Sequence, residues 1–207
     1  RRLESENEKL SAGRRMLKDV KEGFRYLAAE KGLLAIAVYF TFSCLAGGAS
    51  SVITLPYFKN TFENGEYLFM LVWGMSYVGR MIGGAIHYKK KLPVKKKFAI
   101  ALAVYITIGT LEGTYLFTPL PAMMIFCFII GIGGVTSYTI RISGTQSYVP
   151  DEKKGRFNGA FQMLNTTGML LSEILAGALA DILPQRIILL IFQLLAVAAA
   201  IVVIGGN

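Results

Sequence analysis

Four ionisable residues stand inside long apolar stretches of this chain: Glu112 and Glu173, Arg80 and Arg141. A charge is costly in such surroundings, so each is a candidate for function before it is a candidate for structure. Glu173 stands alone among Leu, Ile and Ala. Burial favours the neutral form of a carboxyl group, which suits a group that takes up and releases protons. Glu112 lies within Gly109-x-x-x-Gly113, toward the far end of its stretch, where it would carry a proton, pair with a neighbouring helix or reach water. Arg80 and Arg141 would hold Asp151 or Glu152 and, with Arg156, clasp helix ends by charge, or would extend their heads to water.

Aromatic and amide side chains recur in the same stretches: Tyr39, Phe40, Trp73, Tyr77, Tyr138, Gln162 and Asn165. Aromatic faces with a few amides suit the wall of a cavity for amphipathic organic molecules, cations included. Each residue taken alone also fits ordinary packing or an interfacial anchor. Other chemistries lack their residues. His87 is the single histidine and no acid cluster accompanies it, so the sequence implies no metal site. Cys44 and Cys127 sit apart in apolar sequence and read as buried thiols. No Ser-His or Cys-His pairing suggests an enzyme. Gly131-Ile132-Gly133-Gly134 matches neither nucleotide fingerprint, and no cofactor is implied.

The elements that carry these residues are six apolar spans, roughly 32–57, 67–88, 98–117, 122–143, 156–180 and 187–204. Each approaches the ~20 residues that cross a bilayer core. Apolar residues make up 54% of the 207, which agrees with an all-α, polytopic membrane protein. Ahead of the spans, residues 1–31 form a basic segment in which Met16, Val20, Phe24 and Leu27 recur at helical spacing. That segment reads as an amphipathic linker helix, lying on the membrane surface or packed on neighbouring protein.

The net charge of +9 would suit nucleic acid, but the basic residues cluster between apolar spans instead of covering one polar face, which excludes that reading. Of the 22 Lys and Arg, eighteen fall before the first span, in the Lys89–Lys97 loop or in the Pro150 loop, and two, Lys59 and Arg186, fall on the other side. Basic residues concentrate on the cytoplasmic side, so both ends are expected in the cytoplasm, with lipid around a multi-pass protein of the plasma or inner membrane. The chain opens at Arg1 with no Met and no signal-like segment, which reads as a piece of something longer.

Three stretches resemble the major facilitator superfamily of transporters. Lys21-Glu22-Gly23-Phe24-Arg25-Tyr26-Leu27 is similar to the run before that family's seventh helix. Val149-Pro150-Asp151-Glu152-Lys153-Lys154-Gly155-Arg156 with Phe161-Gln162-Met163-Leu164-Asn165 resembles the link between its tenth and eleventh helices. Ala176-Gly177-Ala178-Leu179-Ala180-Asp181 continues the match. The resemblance is to the C-terminal half, closest in flavour to macrolide-efflux-like drug exporters. It implies two inverted three-helix repeats, as is general for that superfamily, with the first, second, fourth and fifth spans lining a central cavity. It also implies proton-coupled efflux of a small organic substrate by alternating access, together with an N-terminal six-helix half. The alternative is a six-helix protein that pairs with a second copy of itself, as a self-sufficient half-transporter or a non-transporting membrane partner. One departure stands out. Where the family commonly reads Gly-x-x-x-Asp-Arg-x-Gly after its eighth helix, this chain has Gly83, then His87, Tyr88 and Lys90. The resemblance therefore does not carry the family's Asp-centred charge clasp onto this half.

Overall fold

The computed structural model describes residues 12–89 and 97–205, and no strand occurs among them. Lys90, Lys91, Lys95 and Lys96 of the expected lysine loop, and the basic residues Arg1, Arg2 and Lys9, lie outside the described residues. Helix α1 (Ala12–Ala29) precedes six long helices: α2 (Lys31–Thr61), α3 (Gly65–Lys89), α4 (Lys97–Thr114), α5 (Leu120–Tyr148), α6 (Asp151–Ala180) and α7 (Gln185–Ala199). A 3-10 turn, Tyr115–Phe117, ends α4, and a π-helical turn, Ala200–Ile204, extends α7. Six helices are long and apolar enough to cross a membrane.

Helix ends follow local chemistry and shift some expected span limits. Helix α6 starts at Asp151 because Pro150 fixes the entry, its carbonyl accepting from the amides of Lys153 (2.9 Å) and Lys154 (3.1 Å). Asp151 and Glu152 then occupy the first turn, where the helix dipole favours negative charge. Helix α2 continues through Pro56 to Thr61, beyond the expected limit near Tyr57. A proline this near the helix end removes one backbone bond, and buried Phe58 rewards the extra turn by packing against Phe62 and Phe69.

Helix pairing has an internal symmetry. The two most extensive contacts are α3 with α5 and α2 with α6, followed by α2 with α7, and by α4 with α5 and α7. Exchanging the first three spans for the last three converts α3–α5 into α6–α2, and α2–α7 into α5–α4, while α4–α7 maps onto itself. This is the pattern of two inverted three-helix repeats.

Glycine makes both main contacts possible. A Cβ on Gly131 of α5 would collide with the Ser76 carbonyl oxygen of α3, and one on Gly79 would collide with that of Phe128. Gly83 sits directly against Ile132, so the Gly79-x-x-x-Gly83 face does pack as its spacing suggests. In the α2–α6 pair, Gly48 meets Ser172 and the Met169 carbonyl, and Gly168 meets the Thr41 carbonyl.

Helix α1 packs on α6 and α2. Its Leu27 joins Leu33, Ala37, Val149, Phe157 and Phe161 in a buried cluster. Of the apolar stripe, Leu27 is buried in that cluster and Phe24 packs against it, while Val20 lines a groove between α1 and α6. A larger cluster around Phe58, Val72, Tyr115, Met123, Ile188, Leu189 and Phe192 fills the opposite end of the bundle.

Candidate functional site

Stripes at i, i+4, i+7 and i+11 on four helices border open space. On α2 the stripe is Phe40, Cys44, Gly47 and Ser51; on α3 it is Trp73, Tyr77, Arg80 and Gly84. Helix α5 contributes Gly134, Tyr138 and Arg141, and α6 contributes Gln162, Thr166, Met169 and Glu173. Nothing lies within 4 Å of where a Cβ would stand on Gly47, Gly84 or Gly134. The stripes meet at two points. The Arg141 guanidinium lies 5.2 Å from the Phe40 ring centre, and the Ser51 oxygen, whose proton goes first to the Gly48 carbonyl at 2.7 Å, lies 3.3 Å from Glu173 Oε1. These are the first, second, fourth and fifth spans; the α2, α5 and α6 stripes join at these two contacts, and the exposed sides of the four are termed the open face.

At the end of this face nearer the Pro150 turn, Arg141 is seated among aromatic rings: Phe40, Tyr138 (5.3 Å) and Phe161 (5.5 Å). Rings from three helices thus hold one guanidinium by cation–π contact. Behind it, Tyr39 stacks on Tyr105 with ring centres 4.1 Å apart. On α3, Arg80 lies 5.3 Å over the ring of Tyr77.

The two acids occupy different settings. Glu173 is half-buried on the open face and has the Ser51 hydroxyl as its partner. Glu112 keeps some surface as a residue, yet its carboxyl is enclosed by protein. Ser50 of α2 and Gln193 of α7 stand beside that carboxyl, and Arg80 is the cation that acts on it through space. Tyr115 donates to the Thr54 hydroxyl at 3.1 Å, and Thr54 donates to the Ser50 carbonyl at 2.7 Å. The Ser50 proton is therefore left for Thr54 or Glu112.

Among the described residues, three buried polar atoms lack a hydrogen-bond partner: Trp73 Nε1, Gln193 Nε2 and Asn165 Oδ1. Gln193 borders Glu112 and Trp73 borders Tyr115, but neither donor is aimed to complete a bond. Orphaned donors cost about 1–3 kcal/mol each. Gln193 borders Glu112, whereas Glu173 has the Ser51 hydroxyl beside it on the open face.

The expected charge clasp is not assembled as the sequence suggested. Among the described residues, neither Arg80 nor Arg141 forms an ion pair with Asp151 or Glu152; Asp151 bonds Lys154 at 2.6 Å within its own helix. Arg156 does form a clasp, with different acids: Asp19 at 2.9 Å and Glu22 at 2.6 Å, both on α1. Asp151 and Glu152 are held at the α6 N-terminus, while α1 docks beside Arg156 and brings its own carboxylates. Asp19 and Glu22 were legible as acids three residues apart in an otherwise basic helix, a pairing the sequence reading overlooked. Nearby, the Tyr148 hydroxyl donates to Glu30 Oε2 at 2.9 Å, and that bond holds its phenol above the usual tyrosine range. A groove of about 510 Å³ between α1 and α6 is lined by Asp19, Val20, Glu152, Arg156 and the small residues Gly155, Gly159 and Ala160, and so belongs to this clasp.

The remaining candidates divide. Phe40, Tyr77, Tyr138 and Gln162 border the open face; Tyr39 and Asn165 are buried, and Trp73 is half-buried with its indole nitrogen enclosed. His87 donates from Nε2 to the Thr136 hydroxyl at 2.8 Å, since Thr136 spends its own proton on the Ile132 carbonyl at 3.0 Å. No group of three metal-ligating side chains comes together among the described residues.

The sequence matches the family model of the Major Facilitator Superfamily over residues 1–173. The chain belongs to that superfamily. Six membrane-crossing helices paired as inverted repeats agree with half of the family's fold. Membership makes this a multi-pass membrane transport protein, from a family of transporters and not of enzymes. No curated protein and no solved structure matches the chain.

Proposed function

We propose that this chain is the C-terminal six-helix half of a secondary active transporter of the plasma or inner membrane, which exports small organic compounds in exchange for protons. Its partner is an N-terminal six-helix half, and the two rock about a site between them to expose it to each side in turn. In this reading the open face of α2, α3, α5 and α6 is this half's wall of the substrate path, and the two chain ends lie in the cytoplasm. The branch is the drug-efflux one suggested by the Val149–Arg156 and Ala176–Asp181 motifs.

The observation that carries the proton reading is the enclosed carboxyl of Glu112, bordered by Ser50 and Gln193, with Arg80 acting on it through space. A carboxyl in such a setting changes charge only when its surroundings rearrange, which is what coupling requires. Glu173, on the open face with a hydroxyl partner, is the second proton carrier. The test is pH-gradient-driven transport by the complete protein in proteoliposomes. Glu112→Gln abolishes gradient-driven movement while substrate exchange at equal pH persists, and Glu173→Gln lowers the gradient-driven rate. Full gradient-driven activity in both variants overturns the proton roles.

A further inference from the structure

Arg80 is a charged side chain well inside a membrane-crossing helix. Helix rise puts it about 13 Å from Lys89, the end of α3 beside the lysine-rich stretch of the sequence. A guanidinium that simply escapes toward water extends to the nearest helix end. This one does not. It lies over Tyr77, one turn farther from Lys89, and it acts electrostatically on the Glu112 carboxyl in the bundle interior.

The head group is also uncommitted. Among the described residues Arg80 has no ion pair and no hydrogen bond, and its recorded contacts are the Tyr77 ring and the field of Glu112. Arginine carries five N–H donors in a planar fork that matches carboxylate and phosphate oxygens. The side chain is exposed, and Gly84, one turn away on the same stripe, leaves open space beside it. An exposed guanidinium that no carboxylate among the described residues pairs leaves its fork open to an incoming anion.

The aromatic surface points the same way. Rings on this face that would attract a cationic substrate already carry the chain's own guanidinium groups: Tyr77 carries Arg80, and Phe40 and Tyr138 carry Arg141. The face thus presents two guanidinium groups flanked by aromatic area, with Glu173 as its acid. We propose that Arg80 is the specificity-determining cation of this half, receiving the carboxylate or phosphate of a small, aromatic or otherwise amphipathic organic anion. The proposal rests on the transport reading above and names its substrate class.

Trp73, the single tryptophan of the sequence, stands two turns along the same stripe and reports occupancy by its fluorescence. The complete purified transporter, with any tryptophans of its other half replaced, is titrated with benzoate, phenyl phosphate, neutral benzamide and cationic benzylamine. The expected result is saturable quenching by at least one anion and none by benzylamine. Affinity for the anion falls at least roughly tenfold in Arg80→Gln, the scale of a charge-assisted hydrogen bond, and less in Arg80→Lys, which keeps the charge without the fork. Thermal melting of each variant identifies loss of fold, and Arg80→Lys decides the matter if Arg80→Gln is unstable. Equal affinity for benzoate and benzamide, no saturable quenching by either anion, or unchanged anion affinity in both variants overturns the proposal. Arg80-dependent anion binding without gradient-driven transport would uphold this site and sink the exporter reading. Arg80-independent transport would do the reverse.

Discussion

Arg156, one turn into α6, meets the Glu22 carboxylate of α1 at 2.6 Å while its Nε holds Asp19 at 2.9 Å. One half-buried guanidinium therefore ties the entry helix to a membrane-crossing helix, and Gly23 lets the two backbones close beside it. The joint makes α1 move with α6. Replacing both acids, Asp19→Asn with Glu22→Gln, should speed amide hydrogen exchange over residues 18–29 by roughly tenfold while leaving α3 and α5 unaffected. Unchanged exchange in α1 would mean that the apolar contacts of Leu27 and Phe157 alone hold it.

The α3–α5 pair depends on missing side chains. Gly131→Val and Gly79→Val each force a Cβ into a partner's carbonyl oxygen, so both should lower the melting temperature in detergent and the yield of monodisperse protein. Gly177→Ala is the control: nothing lies within 4 Å of its Cβ position, and alanine is the better helix former by about 1 kcal/mol. A Gly131→Val protein as stable as Gly177→Ala would contradict the backbone-to-backbone packing.

His87 and Thr136 lock the same pair nearer the Lys89 end, with His87 as donor at 2.8 Å. Gly79, Gly83 and His87 repeat every four residues, so the histidine continues the glycine contact as a hydrogen bond. Where the family usually has an acid, this chain joins α3 to α5 through an imidazole and a hydroxyl. Thr136→Val removes the acceptor at nearly constant volume and should destabilise the protein by about 1 kcal/mol. Thr136→Ser, which keeps the hydroxyl, should restore most of that loss in the same melting assay. Equal melting of Thr136→Val and the parent would show that the bond contributes nothing.

The sequence by itself determined the number of helices long and apolar enough to cross a membrane, and the superfamily. Each of these depends on a property of a whole segment: an apolar length matched to bilayer thickness, or a run of motif residues at fixed spacing. It also singled out Arg80, Arg141, Glu112 and Glu173, because an ionisable residue in an apolar segment is conspicuous without knowledge of its neighbours. What it did not determine is which residues meet. In a lipid-facing bundle the outer and inner sides of a helix are both apolar, so periodicity barely distinguishes them, and Met81 on the exposed side of α3 reads much like buried Val72. The tertiary structure alone decided that Glu112 is enclosed by helices α2 and α7, that Arg156 finds its acids on α1, and that Arg80 lies over Tyr77. Those outcomes depend on how closely glycines let two helices approach, and on the rotation this imposes on every side chain along them.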